Sequence, residues 1–126
     1  MLKKPMIAGV TIAMLAMPAL ADGDAEKGER VFNKCKACHA VGEDAKNKVG
    51  PVLNGIIGRP AGTVEDFNYS DALLAKAEEG LVWDEDSLAE YLEKPRDYIE
   101  GTKMSFAGLR KEEEIENVIA YLATFE

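Results

Sequence analysis

The sequence predicts a small all-α fold. Three observations carry this. Apolar residues recur at helical spacing near both ends of the chain, no stretch alternates apolar and polar residues persistently, and Gly/Pro-rich segments divide the middle. The length of 126 residues leaves room for one domain at ~100–200 residues per domain, which excludes a multidomain enzyme. Hydrophobic residues at 47% and charged residues at 30% exclude both a disordered tail and a polytopic membrane protein.

The first helix is expected from Asp24 to about Cys38, with Ala25, Gly28, Val31, Phe32 and Cys35 on one stripe. Two shorter helices follow at Ser70–Glu79 and Glu85–Lys94, with Ser70 and Asp84 as N-caps and Pro95 stopping the second. The last helix, Lys111–Phe125, opens with Glu112, Glu113 and Glu114 at the positive end of its dipole. Its face of Ile115, Val118, Ile119 and Leu122 needs a partner helix. Residues 40–69 and 95–110 read as loops, and their Gly and Pro content suits chain that wraps a flat ligand closely.

Ahead of these elements, Lys3 and Lys4 precede the apolar run Met6–Met17, and Ala19-Leu20-Ala21 has the small-x-small pattern of a cleavage site. Residues 1–21 therefore read as an export signal removed after Ala21. The other reading is a retained anchor, but the run is short of the ~20 residues a spanning helix needs, and Pro18 interrupts its extension. The domain would be 22–126, with 13 basic and 23 acidic side chains and a net charge of −10. An acidic chain of pI near 4.7 is unsuited to nucleic acid, whose phosphates call for a basic surface.

The chemistry concentrates in Cys35-Lys36-Ala37-Cys38-His39, which holds the only cysteines and the only histidine of the chain. This is the C-x-x-C-H pattern of covalent haem attachment. Residues three apart on a helix share a face, so two thiols can reach two vinyl groups along one side of a porphyrin while the next residue reaches the iron. Two other readings remain: a disulfide, which leaves His39 unexplained, and half of a zinc site, for which no second Cys or His cluster exists.

Further stretches carry a family resemblance: Gly28 and Phe32; Gly50-Pro51-x-Leu53; Gly58-Arg59; Phe67-Asn68-Tyr69-Ser70-Asp71-Ala72; Trp83; Tyr91-Leu92-x-x-Pro95; Tyr98; Gly101-Thr102-Lys103-Met104-x-Phe106-Ala107-Gly108; and Ile119-Ala120-Tyr121-Leu122. With the haem motif they make nearly all of 22–126 resemble the class I cytochromes c of the bacterial cytochrome c2 kind, similar to the mitochondrial protein. The resemblance implies a small cytochrome c fold: crossing N- and C-terminal helices, with loops and short helices around one haem c held by Cys35 and Cys38. It implies His39 and Met104 as the axial iron ligands, with the Pro51 carbonyl accepting the second ring N–H of His39. Arg59, Tyr69 and Trp83 match positions around the inner haem propionate, Tyr91 a position near the methionine sulfur, and Gly28, Phe32 and Tyr121 the helix crossing. A lone Met is ordinarily a core gap-filler; here its flanking motif carries the ligand reading.

Four departures from the common pattern are expected to matter. Leu73 stands where many members have an asparagine, so a polar network near the haem is expected to shrink. Glu100 replaces a proline and is expected to loosen the Met104 loop. Asn47 stands where many members have a bracing histidine. The stretch from Ser70 to Trp83 is about three residues longer than in the mitochondrial type, which favours a bacterial origin.

The implied function is one-electron transport rather than catalysis, because His and Met fill both axial positions and leave none open. The resemblance implies a soluble, monomeric periplasmic carrier between a quinol:cytochrome c oxidoreductase of the bc1 type and a reaction centre or terminal cytochrome oxidase. Residues 34–48 and 94–111 carry net charges of +2 and +3, against −15 for the rest of the domain. Lys34, Lys48, Arg96, Lys103 and Arg110 therefore read as a docking face around the haem edge, a solvated charge mosaic being the other reading. Two further functions stay open: an electron-entry subunit of a periplasmic dehydrogenase, and a haem peroxidase or gas-binding protein in which Met104 leaves the iron.

Overall fold

Helix α1 (Ala25–Phe32) starts at Asp24, whose carboxylate accepts from the Glu26 and Lys27 amides at 2.9 and 3.2 Å. The structure, a computed structural model, describes residues 23–126, so the expected signal at 1–21 lies outside the described residues. The α-helix is shorter than its stripe of apolar residues. Beyond Phe32 the chain continues in turns, through Cys35 N–H to Phe32 C=O at 2.7 Å and His39 N–H to Cys35 C=O at 2.9 Å. Apolar periodicity sees only side-chain direction, which these turns preserve.

The last helix, α5 (Glu112–Leu122), meets α1 face to face. Gly28 makes the crossing possible, because a β-carbon there would collide with the Asn117 carbonyl and lie 2.8 Å from Tyr121 Cβ. Asn117 also accepts the Asp24 N–H through Oδ1 at 2.8 Å, and the Phe32 and Tyr121 rings meet at 5.5 Å with their planes tilted by 49°. Val31, Phe32, Ile115, Val118 and Leu122 are buried in this contact and in the core it joins. Burying such side chains contributes about 1.5–3 kcal/mol each.

Between these helices lie α2 (Asp71–Glu78), α3 (Glu85–Glu93) and α4 (Pro95–Tyr98). Ser70 caps α2 as expected, and Asp84 caps α3 in a reciprocal box with Ser87. Helix α4 lies in the stretch expected to be loop. Pro95 not only stops α3 but occupies the first turn of α4, where its missing N–H has no intrahelical partner to lose. The sequence also concealed two two-residue strands, β1 (Arg59–Pro60) and β2 (Val82–Trp83), paired antiparallel with Arg59 opposite Trp83. Two residues cannot show an alternating pattern. Among the described residues no helix is long and apolar enough to cross a membrane.

Candidate cofactor site

A largely apolar cavity of about 920 Å³ opens between α1, α3, α5 and the connecting loops, at the upper end of the ~300–1,000 Å³ usual for cofactor and ligand sites. Cys35, Cys38, His39, Pro51, Arg59, Tyr69, Trp83, Tyr91 and Met104 all line it, although the sequence scatters them over 70 positions.

The turns after α1 carry Cys35, Cys38 and His39 to one wall. Cys35 and Cys38 are not joined in a disulfide, and burial, opposed by the Lys34 charge, pushes the Cys35 thiol up to about 11. His39 Nδ1 lies 2.7 Å from the Pro51 carbonyl. A carbonyl only accepts, so Nδ1 carries the proton and the Nε2 lone pair is left for a metal. Burial also holds the His39 pKa below its usual value, against the pull of the Pro51 bond, which favours the neutral ring. Gly50 lies flat against that ring: a β-carbon there would collide with the imidazole, 2.8 Å from each nitrogen. Gly50 N–H donates to Cys38 C=O at 2.8 Å, pinning this loop to the attachment turns.

Met104 comes from the loop ahead of α5. Its amide donates to Thr102 Oγ1 at 3.2 Å, and that hydroxyl shares a 2.6 Å hydrogen bond with Tyr91 OH. Tyr91 thus acts on the Met104 loop through Thr102. In the sequence Thr102 is only a member of the Gly101-Thr102-Lys103-Met104 motif with no role of its own, and its Thr-x-Met spacing is the available signal. Burial raises the Tyr91 pKa, opposed by the Thr102 bond.

A polar corner completes the cavity. The β1–β2 pair sets Arg59 beside Trp83, and Arg59 Nη1 donates to the Val52 and Asn54 carbonyls at 3.1 and 3.0 Å. Tyr69 OH accepts the Val64 N–H at 3.0 Å, leaving its own proton to donate. Among the described residues no hydrogen bond uses the Trp83 indole N–H, and no buried side-chain nitrogen or oxygen lacks a partner. That N–H therefore opens to accessible space. Asn47, in the position of a usual brace, spans the loops by accepting from Val52 N–H at 2.9 Å and donating to Glu65 C=O at 3.1 Å. Leu73 adds apolar surface to the wall.

The mouth collects Lys34, Lys48 and Lys103; Arg96 and Arg110 are exposed but do not line the cavity. Lys34 Nζ lies 3.6 Å from Glu114 Oε2, and Lys48 Nζ donates to the Lys36 carbonyl at 2.7 Å.

These residues fit a haem c. Two thiols and an open imidazole nitrogen share a wall, a thioether lines the same apolar space, and a corner of donors awaits a carboxylate. Zinc does not fit: among the described residues no group of three or more His, Cys, Asp or Glu side chains could hold a metal ion.

Comparison with known proteins agrees. The cytochrome c family model matches residues 25–126. Cytochrome c2 of Agrobacterium tumefaciens (strain II Chrys) is 55% identical over 101 residues, covering 80% of this chain and 91% of the relative. Cytochrome c-550 of Ancylobacter novellus is 58% identical over 99 residues, covering 79% and 92%. The solved cytochrome c2 from Rhodospirillum Centenum superposes with a TM-score of 0.77 at 45% identity, covering 82% of this chain and 98% of that one. The chain belongs to the cytochrome c family, an electron-transfer protein rather than an enzyme, with one haem c bound covalently through the Cys35 and Cys38 spacing.

Proposed function

We propose that this chain is exported, loses residues 1–21, and shuttles single electrons as a soluble periplasmic monomer. Its donor is a quinol:cytochrome c oxidoreductase of the bc1 type and its acceptor a photosynthetic reaction centre or terminal oxidase. The supporting observation is that His39 and Met104 line one apolar cavity whose mouth is edged by lysines on an otherwise acidic chain.

Haem c bound there supplies a one-electron Fe(II)/Fe(III) couple. Cys35 and Cys38 would tether it through thioethers, so attachment would not depend on the bonds to iron alone. His39 Nε2 and Met104 Sδ would hold its iron between them and leave no place there for a substrate. The Pro51 carbonyl keeps the His39 proton on Nδ1 and fixes the ring orientation. Arg59, Tyr69 and Trp83 would offer donors to a carboxylate of the bound group. Leu53, Ile56, Leu88 and Leu109 keep the cavity dry, which disfavours added positive charge and, with the soft sulfur of Met104, raises the potential.

Lys34, Lys48 and Lys103, with Arg96 and Arg110 further out, steer the mouth towards acidic patches on redox partners. Visible spectra of the oxidised and reduced holoprotein test the ligand set. The expected result is the weak far-red band of methionine bound to ferric haem, with no carbon monoxide complex. A spectrum without that band, or ready carbon monoxide binding, would overturn the assignment.

A further inference from the structure

Lys34 precedes the first attachment cysteine and stands at the cavity mouth, yet its ammonium is already engaged: Glu114, in the first turn of α5, holds it at 3.6 Å. The two side chains are 53% and 29% exposed, so water screens the pair and the contact is weak enough to exchange. We infer that Glu114 is an internal competitor for the docking face, occupying Lys34 until a carboxylate of an acidic partner protein replaces it. This rests on the docking face proposed above and adds a residue that tunes it.

The mouth lysines are not equivalent in this respect. Lys48 gives its ammonium to the Lys36 carbonyl, a neutral acceptor, so it is held in place with its charge undiminished. Of the three mouth lysines, Lys34 is the one whose positive charge a carboxylate opposes among the described residues. Glu114 has a second role that gives it a place to go: as one of three glutamates in the first turn, it keeps a favourable interaction with the positive end of α5 after releasing Lys34. Docking therefore exchanges one carboxylate for another at Lys34 without leaving an unpaired charge. The arrangement favours partners that present a carboxylate at this point and weakens response to those that do not.

Titration of the purified holoprotein with poly-L-glutamate at about 10 mM salt, where the Debye length is ~30 Å, tests this. Glu114→Gln is expected to tighten binding about twofold to fivefold. Glu113→Gln removes the same charge one residue away and is expected to have a smaller effect. In a Lys34→Gln background the two glutamate substitutions should become equal. Should Glu114→Gln not accumulate as holoprotein, Glu114→Asp, which keeps the charge and withdraws it from Lys34, is expected to tighten binding as well. Equal effects of Glu113→Gln and Glu114→Gln in the native background, or a Glu114→Gln effect that survives loss of Lys34, would overturn the inference. Unchanged binding in Lys34→Gln, Lys48→Gln and Lys103→Gln would instead overturn the docking face itself. Weakening by those three without tightening by Glu114→Gln would remove only the competitor.

Discussion

At Met104 one thioether depends on its loop for position, and the loop depends on two hydroxyls: Met104 N–H reaches Thr102 Oγ1, which reaches Tyr91 OH. Removing the sulfur and removing its support therefore have different consequences. Met104→Ala holoprotein is expected to lose the far-red band, bind carbon monoxide, and show a potential lower by about 0.1 V, within the ~0.8 V range that axial ligands span. Redox titration and gas difference spectra measure both. Tyr91→Phe keeps the sulfur and removes one buried hydrogen bond, costing about 1 kcal/mol in denaturant unfolding at neutral pH. It also alters the alkaline limb. Burial raises the Tyr91 pKa above its unfolded value near 10, so its contribution is complete below pH 10 and declines as pH rises through the folded value. Unfolding midpoints between pH 9 and about 12 should fall less steeply in Tyr91→Phe than in the native chain. Equal slopes would assign that limb to other tyrosines, such as Tyr98 and Tyr121, whose values burial also raises.

Among elements, the α1–α5 crossing holds the two ends of the described chain together, and its closest approach is at Gly28. Gly28→Ala should therefore destabilise the holoprotein despite the better helix propensity of alanine, because the β-carbon meets the Asn117 backbone, which cannot rotate away. Overpacking of this kind costs about 1–3 kcal/mol, and each kcal/mol lowers Tm by about 4–8 °C in a domain of this size. Calorimetry showing an unchanged or higher Tm would mean that the helices separate freely. The crossing was legible in advance because Gly28, Phe32 and the α5 stripe are strong local signals. The β1–β2 pair was not. Its register depends on Arg59 and Trp83 meeting across 24 positions, and two-residue strands carry no period. Helix α4 is hidden in the sequence because four residues opening on a proline resemble a turn.

On the scale of the whole molecule, charge is segregated: residues 22–126, of net charge −10, present Lys34, Lys48 and Lys103 at one opening. Neutralising these three lysines together is expected to slow association with a purified membrane redox complex at low ionic strength by tenfold or more and to flatten its salt dependence. Stopped-flow oxidation at graded ionic strength reads both, and an unaltered slope would place the docking face elsewhere. Mass spectrometry of exported material is expected to give a chain starting at Asp22 plus one haem. The sequence by itself determined the covalent chemistry, since Cys35, Cys38 and His39 act through local spacing on consecutive turns. It also determined the helix starts at Asp24, Ser70 and Asp84, because a cap needs only its neighbours. Tertiary structure decided what depends on distant chain segments meeting: that Gly50 lies against the imidazole, that Arg59 stands beside Trp83, that Tyr91 supports Met104 through Thr102, and that Glu114 occupies Lys34. Local backbone preference acts over a few residues and is written into neighbouring side chains. These pairings form only when the apolar stripes of α1 and α5 close the chain around the cavity.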